Sequence, residues 1–332
     1  MLASTSTHAA ENAVDTRSPV EQTTGAATRS SRTLDLSGRA VLLATDGSAS
    51  SLAAAHVAHA LARTHHAAIH VVSVVDTRSA AVPPPLDIAL AMGDAAAGPS
   101  IHAEQEKNVR ENLGAAIGED LDWPVRVTLG TPAAAIVKES RRTGAVLIIV
   151  GLRRHGRLDR AVHDDTALNV MRHASCPVLG VTEGMTELPT RVIAAMDFSE
   201  ASLIAARTAQ AVTGESARLV LAYVSPPSAL AMEEGETLIH ELGVHAAFAK
   251  VARDLRQDRI TFDHVVLHQA VQHSVAESIL QYADTARCDL VAAGSVRRGR
   301  LDRWLMGSVS TDLVRDGSRS VLVAPPGDRV AG

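Results

Sequence analysis

The 332-residue chain is poor in aromatic residues, with three Phe, two Tyr and two Trp. So few rings exclude a base-stacking surface of the kind that holds single-stranded nucleic acid. Two cysteines, Cys176 and Cys288, are too few for a disulfide framework and fit a reducing, cytoplasmic setting. Lysine is scarce: of 32 Lys plus Arg only Lys107, Lys138 and Lys250 are lysines, and none follows a glycine-rich turn. A P-loop kinase or ATPase, which needs a lysine on the phosphates, is thereby excluded. No Gly-x-Ser-x-Gly occurs, so the serine-hydrolase elbow is absent too. No uncharged run reaches the roughly 18 residues of a membrane span. A net charge of -5 argues against a general binder of nucleic acid or of anionic membranes.

What remains is a globular composition, 46% hydrophobic and 21% charged. At about 150 residues per domain the length predicts two domains. Residues 1–37 are rich in Ser, Thr and Ala and carry no apolar periodicity, so they read as a flexible N-terminal tail. Glu11, Asp15 and Glu21 stand against a transit peptide, which avoids acids.

The rest of the chain contains itself twice. Gly151-Leu-Arg-Arg-His-Gly156-Arg-Leu-Asp-Arg160 aligns without a gap on Gly294-Ser-Val-Arg-Arg-Gly299-Arg-Leu-Asp-Arg303. Earlier in each copy an apolar run ends in aspartate, at Val41–Asp46 and at Val192–Asp197. The period is too long for a solenoid, so these are tandem domains, 38–183 and 189–326, joined by a short polar stretch that closes at Pro189.

Short β-branched runs alternate with Ala-rich segments in both copies. Strands are predicted near 40–45, 69–75, 125–129, 146–150 and 177–182, then near 191–196, 218–224, 262–268, 289–293 and 320–324. Helices are predicted at 49–64, 132–142, 201–213 and 274–286, with another starting after Ser308. The alternation implies an α/β fold of two tandem open parallel five-stranded sheets with helices on both faces. Runs such as Val146–Val150 are apolar throughout, as strands covered on both faces should be.

Open parallel sheets bind ligands beyond the carboxyl ends of their strands. Two such ends carry suggestive residues: Asp46-Gly47-Ser48 or Asp197-Phe198-Ser199 after the first strand, and the loop from Gly294 to Gly307-Ser308 after the fourth. Glycines let backbone amides approach an anion, and a helix N-terminus offers free N–H groups. Ser308 serves either as a helix cap or as a phosphate donor.

On these residues the chain resembles the universal stress proteins. Their pattern after the fourth strand is Gly, two residues, Gly, nine residues, then Gly and Ser or Thr. The first-strand Asp, the Gly130-Thr-Pro132 turn and the Arg172–Val178 stretch are similar to the family as well. The resemblance covers about residues 38–326 and implies a strand order of 3-2-1-4-5, with ATP bound by some members and not by others. In the second copy Gly294, Gly307 and Ser308 match, Arg297 replaces the middle glycine, and His273-Ser274-Val275 replaces the Gly-x-Pro turn. Asp197 stands where members bind base and ribose, and Val224 where the adenine pocket is expected. In the first copy Arg154 takes the middle position, and Asp164-Asp165 stand in place of Gly-Ser. Two carboxylates there cap the helix themselves and repel polyphosphate, so this copy is expected not to bind ATP.

The resemblance thus implies a regulatory stress-response protein. ATP is confined to the second domain, at Asp197, Val224, Gly294, Arg297, Gly307 and Ser308, and no residue pattern specifies magnesium. A nucleotide-free interaction scaffold remains the alternative, and a weak ATPase the third reading, because no catalytic constellation is recognisable. His56, His59, His65 and His66 lack a partner set at metal spacing and read as polar-face or partly buried imidazoles. Arg153, Arg154, Arg157 and Arg160, and Arg297, Arg298, Arg300 and Arg303, put a basic loop on each domain, read as solvated side chains or as an anion or partner site. Trp304 lies in the second of these loops. No nucleic-acid or membrane partner is expected. In the family the fifth strands of two domains pair, so Val178–Thr182 and Val321–Pro325 are expected to pair within the chain as a built-in pseudo-dimer, with a further homodimer left open.

Overall fold

The computed structural model describes residues 34–76, 97–153, 166–214, 216–227, 234–295 and 306–325. Most of the N-terminal tail, together with Arg297 and Trp304, lies outside them. The first half runs β1 (Ala40–Ala44), α1 (Ala49–His65), β2 (Ala68–Val75), α2 (Ala97–Ile117), β3 (Val125–Leu129), α3 (Pro132–Thr143), β4 (Leu147–Leu152), α4 (Thr166–His173) and β5 (Val178–Thr182). The second repeats it as β6 (Arg191–Ala195), α5 (Glu200–Thr213), β7 (Arg218–Ser225), α6 (Glu234–Gln257), β8 (Asp263–His268), α7 (Val275–Thr285), β9 (Leu290–Gly294), α8 (Ser308–Asp316) and β10 (Ser320–Ala324).

Local chemistry sets the helix ends. Ser48 and Ser199 cap α1 and α5 by accepting the N–H groups of Ser51 and Ser202. Pro132 opens α3, where its fixed φ suits the first turn, and Gly144 closes it in the left-handed region at φ 63°. Ser274 and Glu277 form a reciprocal capping box on α7, so the residues that replace the Gly-x-Pro turn still start a helix.

The strands form one sheet in the order β3-β2-β1-β4-β5-β10-β9-β6-β7-β8. Each half has the 3-2-1-4-5 order with parallel neighbours, and the halves join where β10 pairs antiparallel to β5. The register sets Val321 against Gly180, Leu322 against Leu179 and Val323 against Val178. Ser320 completes the join, its Oγ accepting the Thr182 N–H at 3.1 Å. Two five-stranded sheets thereby become one of ten strands, because each apolar fifth strand would otherwise end its half as an unpaired edge. Helices α1, α2, α5 and α6 cover one face, and α3, α4, α7 and α8 the other. Strands buried on both sides, such as Leu147–Val150, explain the apolar runs of the sequence. No described helix is long and apolar enough to cross a membrane.

Cys288 is buried ahead of β9 and Cys176 is half-buried ahead of β5. Burial pushes both thiols up to about 11. The unfolded thiol ionises near 8.5, so folding holds these groups protonated above that pH. Their contribution to stability is full below the unfolded value and is lost as pH rises towards the folded one. Between about pH 9 and 11 the urea midpoint of the wild type is therefore expected to fall more steeply than that of the Cys176→Ala, Cys288→Ala double variant.

Leu179 and Leu322 are fully buried and face each other across the junction. Each substitution by Ala is expected to cost about 2–5 kcal/mol. The double variant should fall short of the sum by at least about 0.5 kcal/mol, because the two side chains share one contact. Urea unfolding followed by circular dichroism measures both quantities, and strict additivity would contradict the register.

Candidate functional site

The two first-strand aspartates are held alike. Asp46 and Asp197 each accept the N–H of the serine two residues on, both at 3.0 Å, in a turn that leads into the following helix. The residue between them must adopt positive φ. In the first half it is Gly47 at 75°, and in the second it is Phe198 at 61°. A left-handed Phe is disfavoured by about 1–2 kcal/mol. Its ring offsets this by stacking on Tyr223 at 5.1 Å and meeting Phe248 edge-on at 5.0 Å.

Beyond the ends of β6, β7 and β9 lies a cleft of about 480 Å³. Asp197, Val224, Gly294, Gly307 and Ser308 all line it, so five of the six expected site residues meet in one place. The sixth, Arg297, lies outside the described residues. Sequence reasoning missed Tyr223, Val275, Ile279 and Met306, which complete the walls. The usable signals were their places at the end of β7, in the first turns of α7 and just ahead of Gly307.

Gly294 has a reason of its own. A Cβ there would stand 2.5 Å from the Ala201 carbonyl carbon and the Ser202 nitrogen, at the start of α5. Gly151 is in the same position, 2.6 Å from Ser50 and Ser51 of α1. The first glycine of the motif is therefore imposed in both halves by a helix lying close against the fourth strand of its half. The Gly294 carbonyl also accepts from the Ser310 Oγ at 2.9 Å, which ties α8 to the end of β9. Gly307 is the N-cap of α8 and provides no side-chain bond, while Ser308 is exposed. Among the described residues the start of α8 thus has no side-chain cap bond, and it points its positive dipole end at the cleft.

The first half is arranged differently. Arg153 donates from Nη2 to Asp46 Oδ2 at 3.0 Å. Burial pushes the Asp46 carboxyl up, yet hydrogen bonds from Ser48 and Ser51 and the Arg153 charge together hold it below its ordinary value. The repeat offset places Val296 where Arg153 stands, and among the described residues Asp197 has no ion pair. Arg154, Asp164 and Asp165 lie outside the described residues. His59 is set against Glu119 and near the Trp123 ring. Among the described residues no three His, Cys, Asp or Glu side chains are grouped to hold a metal.

Two repeats of a 3-2-1-4-5 sheet, each with a carboxylate after its first strand and a glycine near the end of its fourth, define a tandem pair of open α/β domains. Residues 38–182 and 189–325 each match the model of the universal stress protein family, and the chain belongs to that family. It is similar in structure to a universal stress protein from Archaeoglobus fulgidus DSM 4304, with a TM-score of 0.61 at 19% identity over 87% of this chain and 99% of that one. A functionally unknown protein from Pseudomonas aeruginosa PAO1 gives a TM-score of 0.54 at 16% identity over 87% of this chain and 92% of that one. At these identities the likeness is one of fold. No curated protein matches the sequence.

If close helix packing requires the glycine, Gly151→Ala and Gly294→Ala should each destabilise the protein by about 1–3 kcal/mol in urea unfolding. A neutral Gly151→Ala beside a costly Gly294→Ala would contradict the shared packing role.

Proposed function

We propose that the chain is a stress-response regulatory protein whose second domain, 189–326, holds an adenine nucleotide, with the first domain, 38–183, serving as scaffold. The observation that carries this reading is the convergence of Asp197, Val224, Gly307 and Ser308 on one cleft. Its size lies within the roughly 300–1,000 Å³ usual for small-molecule sites. The apolar side chains of Val224, Val275, Ile279 and Met306 suit a flat base, and the Asp197 carboxylate suits ribose hydroxyls. The start of α8, with Gly307 and the exposed Ser308 hydroxyl, suits a phosphate. Arg297 follows β9 in sequence and would bring positive charge to the same group. The role needs no bond-making step. Two free cysteines, Cys176 and Cys288, are in keeping with work in a reducing compartment such as the cytoplasm.

A specific observation supports the scaffold reading for the first domain: Arg153 already uses the Asp46 carboxylate. The same reading extends to the whole chain if the second cleft proves empty of ligand, since helix packing alone accounts for Gly294.

Calorimetric titration with ATP, with and without magnesium, tests the proposal. One ATP per chain is expected, with binding lost in Ser308→Asp, which puts a carboxylate at the helix start. The Asp46→Ala variant should bind as the wild type does. Absence of heat at millimolar ATP would leave the nucleotide-free scaffold.

A further inference from the structure

Helix α6 packs one side on the sheet through Val244, Phe248, Val251 and Leu255, all buried. A surface helix should then turn polar residues outward. Of the four large hydrophobic side chains exposed among the described residues, three lie together on this helix: Leu238, Ile239 and Leu242, at 56%, 72% and 59% exposure. At 3.6 residues per turn they continue into the exposed Ala246 and Ala249, forming a stripe opposite the buried one. Gly243 lies beside this stripe in mid-helix, where glycine costs about 1 kcal/mol relative to alanine. A Cβ there would meet nothing within 4 Å, so no contact among the described residues requires the glycine.

The charges beside the stripe are divided along the helix. Glu236 and Glu241 are exposed in its first half, and Lys250, Arg253 and Arg256 in its second. Asp258, just past the helix, is turned onto Arg207 of α5 at 2.7 Å, and Asp254 is half-buried. Such a helix complements itself when reversed.

We propose that the outer face of α6 is the contact between two copies of this chain, with the two helices antiparallel about a two-fold axis near Leu242. Leu242 then meets its own counterpart, Leu238 lies over Ala246 of the second copy, and Gly243, on the flank that carries Glu236 and Lys250, leaves room for those longer side chains. Glu236 comes beside Lys250 and Arg253 of the second copy, whereas a parallel pair would set like charges together. The fifth strands already pair within the chain, so this contact has to use another surface. An anionic lipid surface fits poorly, because the half of the helix that carries the leucines is acidic.

One helix pair buries less than the roughly 1,200 Å² of standard complexes, so association is expected to be weak and measurable up to about 100 µM chain. Sedimentation velocity on the full chain should show a concentration-dependent dimer. Ile239→Glu with Leu242→Glu should abolish it and leave the thermal melt unchanged, since both side chains are exposed. Glu236→Lys and Lys250→Glu should each weaken association at least several-fold, and together restore it. Oxidation should cross-link Leu242→Cys to itself but not Glu187→Cys, an exposed position far along the chain. A chain monomeric at about 100 µM, or a dimer indifferent to the Ile239 and Leu242 substitutions, would overturn the proposal. So would a monomer that binds phosphatidylserine vesicles through the same residues.

Discussion

The pairing of β5 with β10 is the constraint on which the architecture rests. Each half alone would end in a strand whose residues are apolar on both faces and whose backbone groups are unpaired along one side. Antiparallel pairing removes both costs with three residue pairs, and it does so within a single chain. The consequences reach beyond the edge. The core on the α1 side becomes continuous across the junction through Leu179 and Leu322. The carboxyl ends of the parallel strands are turned in opposite senses in the two halves, because an antiparallel join reverses the strand direction. Each cleft must therefore be furnished from its own half.

That independence lets the two sites diverge on one scaffold. The constraint from helix packing is the same in both, and both retain the glycine at the close approach, Gly151 and Gly294. The aspartate turn and its serine cap are also common to both halves, and the differences fall on other groups around them. The cation on the aspartate is present in one half as Arg153 and replaced by Val296 in the other. In sequence, Asp164-Asp165 of the first copy align with Gly307-Ser308 of the second. A shared fold with unlike polar groups at the mouth is the expected result when the packing and the aspartate turn, but not the groups around them, are common to both copies.

The repeat, the strand order and the fifth-strand pairing were legible because each is written in long apolar runs that recur in the same order. The convergence of five expected residues on one cleft was legible for a related reason: Asp197, Val224 and Gly294 lie at strand ends, which the runs delimit, and Gly307 and Ser308 at the start of a helix. The walls were less legible. Val275 and Ile279 belong to a helix whose start is set by the Ser274–Glu277 capping box, and nothing in their own spacing separates a cleft wall from an ordinary core face. Gly294 was legible as a residue but not as a reason, since a glycine needed for helix contact and one needed for phosphate read alike in sequence. The exposed side of α6 was hidden because exposure is a property of the assembled layers, and two apolar stripes on one helix look like a fully buried helix until the sheet shows which one it covers.

Phe198 shows how the second site keeps its carboxylate both fixed and available. Gly47 takes positive φ without strain, its N–H bonds to Thr45 Oγ1, the Ser48 N–H bonds to Asp46, and Arg153 adds an ion pair at the surface. Phe198 is held instead by its ring, between Tyr223 and Phe248. The turn is therefore fixed by packing on the α6 side of the sheet, against the same Tyr223 that borders the cleft. The two halves thus reach the same backbone geometry by different means: a glycine in the first, where Arg153 pairs with the Asp46 carboxylate, and a packed aromatic residue in the second, where Asp197 lines the cleft and has no ion pair among the described residues.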